Sequence, residues 1–170
     1  MKQKRKQVMA SERSRASAAP DPWLRFAVWA APAAVALLAF VHTLPYKFVF
    51  DDEGQILRNP WVRDWSNLKT IFATDVWRFS EPTGVTNYYR PLHMLLYMLG
   101  YHVFGLEPRG YHALSILLHS LSTVLVTSIG LRLTGDRRVA VLGGLLFALH
   151  PVHAESVAWV AAVPDLLCAA

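Results

Sequence analysis

Three apolar stretches separated by polar segments set the pattern of this chain. The first two, from Phe26 to Leu44 and from Tyr111 to Leu131, contain no Asp, Glu, Lys or Arg. A helix rises about 1.5 Å per residue, so each stretch is long enough to cross a hydrocarbon core about 30 Å thick. The pattern predicts transmembrane helices at 23–45 and 111–131.

The third apolar stretch, residues 139–170, is interrupted by Pro151 and by the acids Glu155 and Asp165. Its first part is short for a full span, so the chain either turns within the bilayer or continues through the proline kink. We predict further membrane helices in this stretch. Because the last helix is unfinished at Ala170, we expect the sequence to be an N-terminal fragment of a longer protein.

A long polar segment, residues 46–110, joins the first two predicted spans. Helical spacing of apolar residues predicts a short helix at about 66–73, with Ser66 as its N-cap, and a second helix at about 91–104. Both are too short to span comfortably, so we expect them to lie in the membrane interface. His93 lies off the apolar face of the second helix, which comprises Leu92, Leu95, Leu96, Leu99 and Val103.

Composition agrees with a membrane protein, because 54% of the residues are hydrophobic and only 17% are charged. The net charge of +5 comes entirely from the first 25 residues, so the rest of the chain offers no basic surface for nucleic acid. We predict a disordered basic cytoplasmic tail at 1–22. The segment 132–138 contains three arginines, so we predict that it is a cytoplasmic loop. Segment 46–110 is then extracytoplasmic.

The predicted fold is therefore all-α, a polytopic transmembrane helical bundle with interfacial helices in its long first extracytoplasmic loop. A cleaved signal peptide is the alternative for the first stretch, but no clear small-x-small cleavage site follows it. The single cysteine, Cys168, excludes an intrachain disulfide and a cysteine-based zinc site, and we expect it to be a small apolar residue in a helix.

Acidic residues are concentrated where the first predicted span ends. Asp51, Asp52 and Glu53 follow directly on the apolar segment. Three neighbouring carboxylates repel one another, so at least one should have a raised pKa or be held by a cation, a hydrogen-bond donor or a bound substrate. The alternative is a solvated helix exit.

Polar side chains also form a stripe on the second predicted span. The residues that share this helical face, at about 100° per residue, are His112, Ser115, His119 and Ser122. Such a face points into a bundle or a cavity, where it serves interhelical hydrogen bonding or a functional site. His150 and His153 lack a third ligand at zinc-like spacing, so we assign no metal site, and a need for divalent metal stays open.

Several short motifs follow one another in a fixed order. They are Phe48-Val-Phe-Asp-Asp, Asn59-Pro60, Tyr89-Arg-Pro-Leu92, Gly110-Tyr-His112, Leu118-His119 and Leu149-His-Pro-Val-His-Ala-Glu-Ser-Val-Ala-Trp159. Together with a membrane helix, an acid pair at its outer end and an aromatic loop, they resemble the N-terminal region of the GT-C membrane glycosyltransferases. Within these, the chain is most similar to the transmembrane and tetratricopeptide-repeat O-mannosyltransferases.

The resemblance implies a multi-pass enzyme of a bacterial inner membrane, or of the endoplasmic reticulum if the source is eukaryotic, with a cytoplasmic N-terminus. Such an enzyme moves a sugar, here expected to be mannose, from a polyprenyl- or dolichyl-phosphate carrier to Ser or Thr hydroxyls of extracytoplasmic proteins. By position, Asp51 matches the catalytic carboxylate and Asp52 its second acid. More membrane helices and tetratricopeptide repeats are expected beyond Ala170, and the fragment alone is expected to be inactive.

Four further residues are assigned to the carrier phosphate or the substrates. Arg90 is the candidate cation beside the phosphate, while Glu155 and Asp165 match acids of the last motif and His153 lies within it. One departure is that the family usually has an arginine shortly before the second acid of this region, where this chain has Ala161-Ala-Val-Pro164. Either another basic residue serves the phosphate or the donor site has diverged.

A non-catalytic polytopic membrane protein, such as a scaffold or a part of a transporter, is the alternative. In that protein Glu155, Asp165 and the stripe with His112 and His119 would serve packing or a proton relay. The two hypotheses differ over Asp51, which only the transferase requires.

Overall fold

Helices are the only regular secondary structure in the described part of the computed structural model, which covers residues 22–81, 83 and 87–170. The α-helices are α1 Pro22–Phe40, α2 Leu68–Ala73, α3 Pro91–Phe104, α4 Pro108–Thr134, α5 Arg137–Leu149, α6 His153–Ala158 and α7 Val163–Ala169. Shorter turns are the 3-10 turns Val41–Thr43, Pro60–Arg63, Trp65–Asn67 and Val160–Ala162 and the π-helical turn Glu53–Leu57. The all-α prediction is confirmed for these residues, whereas the predicted tail lies outside them except for Pro22.

Helices α1, α4 and α5 pack against one another. Phe26–Thr43 and Pro108–Thr134 are both long and apolar enough to cross a membrane. Trp29 Nε1 of α1 donates a 3.0 Å hydrogen bond to Ser128 Oγ of α4. Gly144 of α5 permits the close approach, because a Cβ at this position would collide with Thr127 of α4 and would lie 3.1 Å from Pro32 of α1.

The turn between α4 and α5 is shorter than the predicted loop at 132–138. Both helices extend into that range, so its arginines lie in helix ends. An arginine ends an uncharged stretch of sequence without ending a helix, because it is a good helix former. The helix ends instead at Gly135, whose φ of 67° is left-handed, and Asp136 caps α5 by accepting a 2.7 Å hydrogen bond from Arg138 N–H.

The polar stripe predicted on α4 faces the protein interior, as expected from the sequence. All four of its residues are buried: His112, Ser115, His119 and Ser122. The hydroxyl of Ser122 donates to the carbonyl of Leu118 within the same helix. His119 Nε2 lies 3.1 Å from the carbonyl oxygen of Ala148. Part of the stripe therefore joins α4 to α5.

The chain after α5 does not continue as one helix. α5 ends at Leu149, and the two short helices α6 and α7 pack against α4. Pro151 has no backbone N–H and restricts the residue before it, so the helix ends before this proline. Cys168 lies in α7, as expected, and its side chain is exposed.

The segment between α1 and α4 contains α2 and α3 near the predicted positions. The predicted N-cap Ser66 is wrong, because Asn67 precedes α2 and Ser66 N–H donates a 2.8 Å hydrogen bond to the Asp64 carboxylate. A carboxylate is a stronger acceptor than a hydroxyl, so Asp64 caps the helical segment two residues earlier.

Helix α3 has the predicted bounds and turns its polar face inward. His93, Tyr97 and their neighbours Met94 and Met98 are buried, and the Tyr97 hydroxyl donates a 3.1 Å hydrogen bond to the carbonyl of Val160. Leu92, Leu99 and Val103 of the predicted apolar face are exposed, whereas Leu95 and Leu96 are half-buried and Leu96 packs against the core. One face of α3 thus completes the core, and the other is open to the surroundings.

Candidate active site

A cleft of about 320 Å³ lies where the segment after α1, the start of α3 and the α6–α7 region meet. Four of the six predicted site residues line it: Asp51, Arg90, Glu155 and Asp165. These residues come from three parts of the chain that are far apart in sequence. The fold therefore brings three carboxylates and a guanidinium to one depression.

Asp51 follows a strained turn of the backbone. Phe50 has a φ of 50°, a left-handed conformation that is uncommon for residues other than glycine. The turn is held by hydrogen bonds from Asp52 N–H to Val49 O at 3.1 Å and from Glu53 N–H to Phe50 O at 3.2 Å. Asp51 is exposed and lines the cleft, while the next residue is directed into the protein.

Asp52 is fully buried and does not line the cleft. Its Oδ2 accepts a 3.0 Å hydrogen bond from Val49 N–H, and its Oδ1 accepts a 2.7 Å hydrogen bond from Ala161 N–H. Burial raises the pKa of the Asp52 carboxyl to about 6, although both N–H donors favour the ionised form. Because Ala161 lies just before α7, Asp52 ties the first loop to the far side of the cleft.

Arg90 supplies a positive charge to the cleft. It precedes α3, and its guanidinium carbon lies 5.2 Å from the centre of the Tyr88 ring, in a cation–π arrangement. Arg90 is exposed, and no ion pair to another residue of the described segments occupies it. The N-terminal end of α3 adds to the positive potential beside it.

The remaining predicted residues are divided between two cavities. Glu155 and Asp165 are exposed at the first cleft, and the Asp165 carboxylate accepts a 3.3 Å hydrogen bond from the Ser156 hydroxyl. His153 instead lines a second cavity of about 220 Å³, where its ring centre lies 5.1 Å from that of His119. Asp165 lines both cavities. Asp51 lines only the first of the two and His153 only the second, so these two residues do not share a cavity.

Within residues 22–81, 83 and 87–170, no group of three or more His, Cys, Asp and Glu side chains could hold a metal ion. The ring centres of His150 and His153 are 6.2 Å apart. This pair has no third ligand in the described part of the chain.

Three uncharged polar residues of the cleft were missed by the sequence reasoning. Gln55, His93 and Trp159 line it, and each carries a buried polar atom that makes no hydrogen bond to any described residue. Trp159 closes the longest sequence motif, and His93 lies off the apolar face of its helix. Neither signal points to a site until the tertiary contacts place both side chains beside Asp51.

Known proteins match this chain over most of its length, although no protein-family model and no solved structure does. It is 36% identical to protein O-mannosyl-transferase TMTC4 of Homo sapiens, over 90% of the chain and 22% of that protein. It is 38% identical to TMTC3 of Mus musculus, over 71% of the chain and 13% of that protein. For Tmtc1 of Drosophila melanogaster the identity is 34%, over 78% of the chain and 16% of that protein.

The chain thus spans less than a quarter of the length of these relatives. The matches agree with the motifs found between residue 48 and the end of the sequence. In sequence, this chain belongs to the family of the TMTC protein O-mannosyl-transferases.

Proposed function

We propose that this protein is a membrane-embedded glycosyltransferase. It transfers mannose from a polyprenyl- or dolichyl-phosphate carrier to Ser or Thr hydroxyls of extracytoplasmic proteins. The observation that carries the proposal is the cleft, in which an exposed carboxylate, Asp51, shares one depression with Arg90. The names of the relatives, protein O-mannosyl-transferases, support the same reaction class.

Asp51 acts as the general base in this proposal. A Ser or Thr hydroxyl is a weak nucleophile until a base takes its proton, and the exposed Asp51 carboxylate receives that proton. The hydroxyl oxygen forms a bond to C1 of the sugar while the bond from C1 to the phosphate oxygen breaks. The electron pair leaves with the phosphate, whose charge the Arg90 guanidinium stabilises.

Arg90 also accounts for the departure from the family pattern before Asp165. Residues 161–164 offer no cation, but the fold brings Arg90 from the start of α3 to the same cleft as Asp165. A basic residue from another part of the chain therefore serves the carrier phosphate. Glu155 and Asp165, which line the same cleft, orient the donor or the acceptor.

Asp52 has a positioning role, because it is buried and holds the backbone of Val49 and Ala161. This differs from a direct role as a second catalytic acid. The two hydrogen bonds fix the turn that carries Asp51 relative to the segment that carries Asp165. His153 and Asp165 line the second cavity together, so His153 acts on the cleft only indirectly, by helping to position Asp165.

The protein is a multi-pass membrane protein with its N-terminus in the cytoplasm. Helices α1 and α4 are the candidate spans, and the arginine-rich turn after α4 lies on the cytoplasmic side. The cleft is then extracytoplasmic, near the bilayer surface. The outward apolar face of α3, with Leu92, Leu99 and Val103, contacts lipid there, where a lipid-linked donor arrives.

The test is the Asp51→Asn substitution in the full-length protein. The assay measures transfer of radiolabelled mannose from dolichyl-phosphate mannose to an acceptor protein. Loss of a general base should lower the rate by about 10²–10⁴-fold. Glu53→Gln is the matched control, since Glu53 is a nearby exposed acid that pairs with Arg58 at 3.8 Å and does not line the cleft. An Asp51→Asn protein that inserts normally and keeps wild-type transfer refutes the proposal.

A proton relay is the second candidate function, favoured by the contact of His119 with His153 beside Asp165. In a relay, substitutions of Glu155 or Asp165 would impair transport while Asp51 would be dispensable. Proton uptake by vesicles that contain Asp165→Asn or Asp51→Asn protein distinguishes the two functions.

A further inference from the structure

We propose that Gln55, His93 and Trp159 form the subsite that binds the sugar of the donor. The inference rests on the proposed function and deepens it, because it separates the residues that recognise the hexose from those that handle the phosphate and the proton. The three side chains come from the π-helical turn, the first turn of α3 and the end of α6, and all three line the cleft.

Polar atoms of all three side chains lack hydrogen-bond partners in the described part of the chain. The Oε1 atom of Gln55, both ring nitrogens of His93 and Nε1 of Trp159 are buried without a hydrogen bond to any described residue. His93 is only 2% exposed. A buried polar atom without a partner destabilises the folded state, and native structures contain few of them. Three such side chains line one cleft, where a bound ligand would satisfy them, whereas the other unpartnered atoms, on Asn59, His112, Ser115 and His119, belong to residues that do not line it.

These atoms form a neutral set of hydrogen-bond donors and acceptors. Burial, followed by the charge of Arg90, lowers the pKa of His93 to about 3, so its ring is neutral and offers one donor and one acceptor. Gln55 Oε1 adds an acceptor, and Trp159 Nε1 adds a donor. A neutral set of this kind suits groups that both donate and accept hydrogen bonds. Sugar hydroxyls both donate and accept hydrogen bonds, whereas an ionised phosphate can only accept them.

Aromatic residues also line the cleft. Trp77, Tyr88 and Trp159 line the cleft, and aromatic rings pack well against the C–H groups of a sugar. Gly54 permits the close approach of Trp77, because a Cβ at Gly54 would lie 2.9 Å from Cζ3 of that ring. The same glycine precedes Gln55, so one aromatic ring and one amide are placed together.

The size of the cleft fits this use. Its volume of about 320 Å³ lies at the lower end of the range of about 300–1,000 Å³ that is typical of ligand sites. A single hexose with its phosphate, rather than an oligosaccharide, suits this volume. Arg90 takes the phosphate, and the neutral trio takes the hydroxyls.

The test compares two ligands that differ only in the sugar. Dissociation constants of the full-length protein in nanodiscs are measured for dolichyl-phosphate mannose and for dolichyl phosphate, with Asp51→Asn present throughout to prevent turnover. His93→Phe, Gln55→Leu and Trp159→Phe should each weaken binding of the sugar-bearing carrier by about tenfold or more, as expected for one lost hydrogen bond near 1.4 kcal/mol. Binding of the sugar-free carrier should change by less than about twofold.

Matched controls lie outside the cleft. His102→Phe and Trp61→Phe repeat two of the substitutions at residues that do not line it, and they should leave both dissociation constants unchanged. The inference is overturned if the cleft variants weaken both carriers equally, or if they weaken neither.

A second measurement changes the sugar as well as the protein. Monodeoxy mannose donors remove one hydroxyl at a time, and at least one of them should bind the Asp51→Asn protein about tenfold more weakly than the parent donor. In the variant that lacks the partner of that hydroxyl, the same deoxy donor should show no further loss. Fully additive losses for every pair would overturn the inference.

The outcomes also separate this inference from the proposed function. A protein that binds neither carrier refutes both. A protein that binds both carriers and transfers mannose, but whose sugar binding is insensitive to the three substitutions, refutes only the sugar subsite.

Discussion

Replacing Asp52 by asparagine should change how the stability of this protein depends on pH. In the wild-type protein each carboxylate oxygen accepts a backbone hydrogen bond, from Val49 N–H at 3.0 Å and from Ala161 N–H at 2.7 Å. An asparagine has one acceptor oxygen, and its amide nitrogen is a donor. One buried N–H group therefore loses its partner, at a cost of about 1–3 kcal/mol.

The charge of Asp52 contributes with the opposite sign. Burial raises its pKa from 3.8 to about 6. At about 1.36 kcal/mol per pKa unit, the ionised folded state is disfavoured by about 3 kcal/mol. The pKa in the folded state exceeds that in the unfolded chain, so folding favours the protonated carboxyl. The stability that the protonated Asp52 contributes is therefore fully present below about pH 3.8 and is lost as the pH rises to about 6. Asparagine carries no titrating proton, so the variant lacks this loss.

The two effects nearly cancel at neutral pH and separate in acid. At pH 7.5 the relieved charge offsets the lost hydrogen bond, so the free energies of unfolding of variant and wild type should agree within about 2 kcal/mol. At pH 4 most of that relief is absent, and the variant should be less stable by about 1–3 kcal/mol. The difference between the two proteins should therefore shift by about 3 kcal/mol across this range.

Denaturant titrations of the purified protein in detergent at pH 4, 5, 6 and 7.5 measure this difference. Asp51→Asn is the matched control, because Asp51 is the adjacent acid and is exposed, and its effect should stay within about 0.5 kcal/mol at every pH. A difference between Asp52→Asn and wild type that does not change with pH would refute the reasoning. An equal pH dependence for Asp51→Asn would show that the buried charge had been assigned to the wrong residue.

Two further predictions concern packing, and both are measured by unfolding in detergent. Gly144→Ala should destabilise the protein by about 1–3 kcal/mol because its Cβ collides with α1 and α4. Gly143→Ala, at a position with open space, should stabilise it by up to about 1 kcal/mol through helix propensity, and similar effects of the two changes would contradict the packing of α5. Tyr97→Phe should cost about 0.5–1.5 kcal/mol through its lost hydrogen bond to Val160. Tyr101→Phe, which breaks no hydrogen bond within the described structure, should be neutral, and equal costs would contradict the docking of α3.

Local patterns allowed the helices to be predicted with fair accuracy. The bounds of α3 follow from Pro91 at its first turn and Gly105 after its end, both of which act within a few residues. The inward face of α4 followed from helical periodicity. The predicted loop after α4 was too long, because charge marks the end of an apolar stretch and Gly135 marks the end of the helix.

The site could be predicted only in part. The sequence motifs pointed to Asp51, Arg90, Glu155 and Asp165, and the fold brings these four together. Gln55 and His93 are isolated polar residues in the sequence, and Trp159 belongs to a motif that gave it no role, so the importance of all three depends on what the fold places around them. His153 was grouped with Glu155 because they are close in sequence, but the fold places them in different cavities.

The sequence by itself determined where the apolar helices lie, where the acids follow the first of them, and which family the motifs resemble. Only the family resemblance separated the role of Asp51 from that of Asp52, because the two are neighbours with the same side chain and nothing in the local sequence shows which one is buried. That distinction depends on Ala161, whose N–H reaches Asp52 across more than a hundred residues of chain. Helix formation depends on neighbours within one or two turns, whereas the burial and hydrogen bonding of a carboxylate depend on segments that only the tertiary structure brings together.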